Sequence, residues 1–274
     1  MAMLAVSKAA IKSKIVLLGP KAPTDDIELP RDEGPSQSWI AMAQDIWGAG
    51  NLTPTDDVFA SCALRTLAPP GNAIFAAVCH QLGSRLFEYT RESAVWIDAF
   101  EGEPALSTLE KRAKDKVKLQ VWRGGAMPLK KGRYTHLAML NAGRIPGVSP
   151  AMLASCTAGL KVGGTAIFAD LVASGNAADL GHPVHTAMAY RKAFADAGLT
   201  TYNTLDLSAE LRIAIFRGLA ATVKMLKTVR VLKEPWRKQR LAGFYKELEY
   251  AIRLHYGLQA GTINAMGLHL IKKK

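Results

Sequence analysis

A chain of 274 residues that is 49% hydrophobic carries enough apolar side chains to bury the core of a full domain. Its 35 lysines and arginines against 23 aspartates and glutamates leave a net charge of +12, which favours anionic partners and resists self-association. No apolar run reaches the ~18 residues that a membrane span requires, and Met1 to Lys14 is short and broken by lysines, so the expectation is a soluble, cytoplasmic protein.

Taken in chain order, residues 1–38 read as an extended N-terminal arm, because Pro20 to Pro35 is rich in proline, aspartate and glutamate. Residues 39–274 then read as a single domain. From about residue 70 to 206, short apolar or β-branched runs alternate with helical patterns, which predicts stacked βαβ units and a mostly parallel, doubly wound α/β sheet. The predicted strands are Ala73 to Val78, Ala94 to Ile97, Val117 to Trp122, Tyr134 to Leu140, Thr165 to Ala169 and Thr200 to Leu205. Predicted helices lie between them at Leu82 to Tyr89, Ala105 to Lys114, Ala151 to Leu160 and Thr186 to Ala197. Gly163 and Gly164, directly after the third of these helices, read as its C-terminal turn. Sheets of this kind bind ligands outside the carboxyl ends of the strands, where the strand order switches.

Cys62, Cys79 and Cys156 are odd in number and widely spaced, which argues against a disulfide framework and against a zinc site. They are expected to be buried, reduced thiols. His182 and His185 form one close pair, without carboxylate or cysteine partners at metal spacing, and are read as a loop before a helix. His185 is the one candidate in the chain for a catalytic, substrate-contacting side chain. No nucleophile elbow, phosphate loop or His-Glu-x-x-His helix is present, so hydrolase and nucleoside-triphosphatase readings lack their minimum parts.

From Arg212 to Arg240, basic residues interleave with apolar ones at helical spacing, with a break at Pro235. Such a helix, 211–240, either packs its apolar stripe on the domain or serves an anionic surface or an acidic protein partner. Aromatic residues for base stacking are sparse here, so nucleic acid is not favoured.

The segment Leu160 to Asp170 pairs leucine, lysine and two glycines with a closing aspartate and resembles the lead into the fifth strand of class I S-adenosylmethionine-dependent methyltransferases. Val95 to Phe100 resembles that family's second strand, and Glu103 to Leu106 the helix start after it. Tyr190 to Leu199 is similar to the family's helix end before the sixth strand, and Gly267 to Lys272 to its closing strand. Asp45 to Thr53 is similar to the opening helix and loop of its small-molecule branch. The matches run in the family's order over roughly residues 39 to 272. The resemblance implies a Rossmann-like methyltransferase fold with a seven-stranded sheet, N-terminal helices and a helical lid at about 209–256.

The resemblance also implies which residues would hold S-adenosylmethionine. The acid for the cofactor's ammonium group falls at Ala76, and the loop glycines fall at Val78, His80 and Leu82, with Gly83 the one glycine kept. Asp98 matches the acid that would bind the ribose hydroxyls. The adenine-recognising acid falls near Gly124 or Gly125, the acid opening the fourth strand at Thr135, and the acceptor-facing histidine near Ile145. A valine and an imidazole where the chain must pass close to the cofactor predict a degenerate site and no bound cofactor, with S-adenosylmethionine the ligand if one binds. The expected function is a non-catalytic binding, regulatory or accessory protein. The alternatives are a divergent active methyltransferase with a small or lipid-like acceptor, and a basic protein that binds anionic lipid or nucleic acid.

Overall fold

The computed structural model describes residues 37–48, 50–80, 95–101, 117–122, 124–126, 129–175, 180, 182–229 and 236–273. The predicted arm up to residue 36, the predicted helices at Leu82 to Tyr89 and Ala105 to Lys114, and Gly83 all lie outside these residues. The described residues belong to the unit from Gly34 to Lys274.

Two helices, α1 (Gln37–Trp47) and α2 (Thr55–Leu67), precede β1 (Ile74–Cys79), β2 (Trp96–Glu101), β3 (Val117–Val121) and β4 (Tyr134–Leu140). A 3₁₀ turn at Ala142–Arg144 leads to α3 (Pro150–Cys156), a second such turn at Thr157–Gly159 and β5 (Leu160–Ala173). Then come α4 (Ala187–Asp196), β6 (Leu199–Asp206), α5 (Ser208–Val229), α6 (Trp236–Ala260) and β7 (Ile263–Lys272). The seven strands form one sheet in the order β3-β2-β1-β4-β5-β7-β6. The pairs β1/β2, β2/β3, β1/β4 and β4/β5 are parallel, and β7 runs antiparallel to both β5 and β6.

Strand β1 is apolar along its whole length because both its faces are covered. Phe75, Ala77 and Cys79 join Ile97, Ala99 and Ile167 beneath Phe59 of α2, Leu211 and Ile215 of α5 and Leu254 of α6. Ala76 and Val78 point the other way, into a core with Phe100, Leu137, Met139 and Phe168 that α3 and α4 cover. The Phe168 ring lies 4.3 Å from that of Tyr190 and 5.4 Å from that of Phe194, both on α4.

Two sequence expectations change. Gly163 and Gly164 sit inside β5, which starts at Leu160 rather than Thr165; the preceding helix stops at Cys156, ahead of the 3₁₀ turn. Gly163 takes φ +77°, open to glycine, and a Cβ on Gly164 would stand 2.9 Å from Lys161 O and 3.1 Å from Thr135 O. The register jumps there, from Tyr134 opposite Leu160 to His136 opposite Thr165, so the glycine pair builds a bulge in a strand and does not end a helix. Lys272 of β7 closes the turn before that strand, its Nζ donating to Thr157 O, Ala158 O and Leu160 O at 3.2, 3.4 and 2.8 Å.

The basic stretch forms two helices, α5 and α6; residues 230–235 between them and the side chains of 226–240 lie outside the described residues. Leu211 and Ile215 bury one side of α5 against the sheet. Gly218 lets α5 press onto the Trp47 ring of α1, and Trp47 Nε1 donates to Glu247 Oε2 of α6 at 3.0 Å. Among the described residues no helix is long and apolar enough to cross a membrane.

Candidate functional site

The strand order turns at β1, with β2 and β3 on one side and β4 and β5 on the other, which places the crevice where sheets of this kind bind ligands beyond the carboxyl ends of β1 and β4. The residues singled out in the sequence scatter around it. Ala76 and Val78 are fully buried in the sheet core, and His80 follows the last residue of β1. Asp98 is the third residue of β2, opposite Ala76, three residues before the strand ends at Glu101. Its Oδ2 accepts the Tyr134 hydroxyl at 2.8 Å and lies 3.6 Å from Arg133 Nη2. Burial, and then the bond to Asp98, push the Tyr134 phenol up to about 12.

The other matched positions are occupied by structural contacts. Thr135 binds back to β1, its hydroxyl accepting from Ile74 N at 3.0 Å and donating to Ile74 O at 3.3 Å. Ile145 is a buried core residue, and Gly124 and Gly125 take positive φ after β3. His185 sits in the loop before α4, edge-on to Tyr190 with ring centroids 5.9 Å apart. All three cysteines are buried, and burial pushes the Cys156 thiol up to about 12. Among the described residues no group of His, Cys, Asp or Glu could hold a metal ion.

A polar cluster that the sequence reading did not assemble lies at the crevice. Asn141, directly after β4, adopts φ +53° and is 2% exposed; its amide donates to Ala169 O at 2.8 Å, while neither atom of its carboxamide has a hydrogen-bond partner. Two residues on, Gly143 N donates to Asp170 Oδ2 at 2.7 Å, and Leu171 N to Asp170 Oδ1 at 2.8 Å. Any side chain at 143 would collide with the Tyr190 hydroxyl, so glycine is what lets the backbone reach the carboxyl. Burial outweighs both amides and Arg144 and pushes Asp170 up to about 7.

Arg144 is the centre of charge in this cluster. Its guanidinium carbon stands 4.8 Å over the Tyr250 ring of α6, and its Nη1 is buried without a partner. On the α2 side, Asp56 accepts from Leu52 N at 2.7 Å, Thr53 N at 3.0 Å and the Thr53 hydroxyl at 2.5 Å; burial still pushes it up to about 6. His80 loses its proton readily, since burial first, then Arg144 and His182, push it down to about 3. The Tyr250 hydroxyl and His80 Nδ1 are buried without partners. One arginine, a neutral imidazole and two carboxyls poised near neutrality can bind a polar ligand and exchange a proton with it.

The sheet order and the reversed last strand are those of the class I S-adenosylmethionine-dependent methyltransferase fold, and solved structures with that fold superpose on this chain. A geranyl diphosphate C-methyltransferase from Streptomyces coelicolor A3(2), solved with S-adenosylhomocysteine, matches with a TM-score of 0.58 and 15% identity over 78% of this chain and 76% of its own. The phosphoethanolamine N-methyltransferase 2 of Haemonchus contortus, solved with S-adenosylmethionine, gives 0.66 and 11% over 86% of this chain and 57% of its own. The cyclase SpnF gives 0.64 and 12% over 86% and 93%. No protein-family profile and no curated protein sequence matches the chain.

Proposed function

We propose that this chain is a methyltransferase-fold protein that does not seat S-adenosylmethionine in the family's manner and acts as a non-catalytic binding, regulatory or accessory protein. The engagement of Asp98 carries this reading: the one acid left from the family's set spends its Oδ2 on Tyr134 and Arg133. Beside it, Ala76 offers a methyl group where the ammonium group needs an acid, and Val78 fills core volume where the chain needs a glycine. The cofactor's groups and the residues at these positions do not fit. Methyl transfer is positioning of an activated donor, so a chain that does not seat the donor does not carry it out. The fold itself prescribes no chemistry, and a cyclase is among its solved neighbours.

Calorimetric titration with S-adenosylmethionine and S-adenosylhomocysteine, reaching the millimolar range, tests the proposal. No heat and no thermal shift are expected from either compound. Saturable binding that disappears in Asp98→Ala would overturn it in favour of a divergent methyltransferase with a small or lipid-like acceptor.

A second reading rests on a separate observation. Ile213 and Val223 are 52% and 60% exposed on α5, on the side away from Leu211 and Ile215, beside Phe216, whose ring meets that of His255 of α6 at 4.9 Å, and exposed Arg212, Arg217 and Lys224 flank them. An apolar stripe between cations suits an anionic membrane surface.

A further inference from the structure

Buried polar atoms in folded proteins almost always have partners, because leaving one unmatched forfeits its hydration with nothing in return. The crevice beyond β1 and β4 breaks this rule at several adjacent positions. The Asn141 carboxamide, Arg144 Nη1, His80 Nδ1 and the Tyr250 hydroxyl are all buried without partners. Asn141 holds a left-handed backbone, which asparagine tolerates, so the turn accounts for the residue type but not for its unmatched carboxamide.

The chemistry of the missing partner follows from the charges. Among the described residues Arg144 is the one permanent cation acting on Asp56, Asp170, His80 and Tyr250 alike. Neither carboxyl forms an ion pair with it: Asp56 is wrapped by the amides of Leu52 and Thr53, and Asp170 by those of Gly143 and Leu171. The Tyr250 ring covers the flat face of the guanidinium and leaves its in-plane N–H groups to be matched. A single unmatched guanidinium among carboxyls suits one negative charge, not two. The carboxamide of Asn141, a residue whose backbone carbonyl accepts from Arg144 N at 3.3 Å, and the His80 imidazole, which feels the Arg144 charge, suit a neighbouring hydroxyl or carbonyl.

We propose that this crevice binds a small monocarboxylate bearing a second hydrogen-bonding group, with Arg144 pairing the carboxylate and Asn141 reading the second group. The inference rests on the reading above, in which the family's donor does not occupy the same end of the sheet. Its failure is distinguishable from the failure of that reading, because it turns on Arg144 and Asn141 and that reading on Asp98.

The test is thermal melting of the full chain with acetate, lactate, inorganic phosphate and chloride at matched ionic strength. Acetate is expected to raise the melting temperature saturably, lactate to raise it further, and chloride to leave it unmoved. Arg144→Gln should weaken both carboxylates by about tenfold or more, as loss of a charge-assisted pair does. Asn141→Gly should respond to lactate no more than to acetate while keeping the acetate shift. That kept acetate shift separates loss of the second contact from a folding defect. Carboxylate shifts no larger than that of chloride, or unchanged in Arg144→Gln, would overturn the site. A phosphate shift equal to that of lactate would overturn the monocarboxylate assignment. A titration in which S-adenosylmethionine binds through Asp98 would sink the earlier reading while leaving the Arg144 result to stand alone.

Discussion

Tyr134, the first residue of β4, donates its phenolic proton to Asp98 of β2 at 2.8 Å across the intervening strand β1. The bond lies on the sheet face where β1 presents Ala76, a residue small enough to leave room for the ring. Tyr134→Phe removes the bond and keeps the packing, so a loss of about 1 kcal/mol is expected from urea unfolding midpoints. An unchanged midpoint would mean that the bond contributes no net stability and that Asp98 is free to serve a ligand.

Gly218→Ala drives a methyl group into the Trp47 ring at the junction of α1, α5 and α6. Overpacking of this kind costs about 1–3 kcal/mol. Denaturant unfolding followed by tryptophan fluorescence reads the loss. A small loss together with a shifted emission maximum would show instead that the Trp47 indole has turned away from Glu247.

The polar cluster sets opposing pH dependences. Asp170 and Asp56, raised to about 7 and about 6, hold protons in the folded state that the unfolded chain has released. Their contribution is full below the ordinary carboxylate range and is lost as pH rises through these values. His80, lowered to about 3, contributes stability that is full above its ordinary value of 6.5 and is lost as pH falls. Asp170→Asn should therefore lose more stability than the parent on acidification from about pH 7 to about pH 5, and His80→Gln less. Urea midpoints across that window decide it, and parallel curves for all three proteins would contradict the placement of both groups.

If α5 rests on an anionic membrane, the chain should sediment with vesicles of mixed phosphatidylglycerol and phosphatidylcholine and not with phosphatidylcholine alone. Ile213→Ser together with Val223→Ser should abolish this at unchanged thermal stability, since both side chains are more than half exposed. Binding that survives the pair of substitutions would reduce the effect to the net charge of +12 and would fall steeply with salt.

The fold was legible where a strand writes its burial into a local run. Ile74 to Cys79 is apolar throughout, and Tyr134 to Leu140 is bounded as predicted. Strand β5 was read short because a glycine pair after a helix looks the same whether it ends the helix or bends a strand; only the partner strand, out of register at Tyr134 and His136, decides. The cluster was not legible because Asp56, His80, Asn141, Arg144, Asp170 and Tyr250 come from separate elements and meet only through the topology. Asn141 did leave a local trace, an asparagine directly after an apolar strand, where a left-handed residue is well tolerated. Nothing local announces that Arg144 would lack an acceptor.

Strand β6 pairs only with β7 in this sheet, and two long helices are made between them. During synthesis β6 therefore leaves the ribosome with no strand to join, because its only route into the sheet is through a strand not yet made. Until Ile263 to Lys272 emerge, the open side of β5 stays bare and the turn at Thr157–Gly159 lacks the lysine that ties it down. Nascent chains should pass through a late, sticky stage in which both edges are open to pairing with other molecules. The yield of folded protein thus depends on how promptly these ten residues follow the helices.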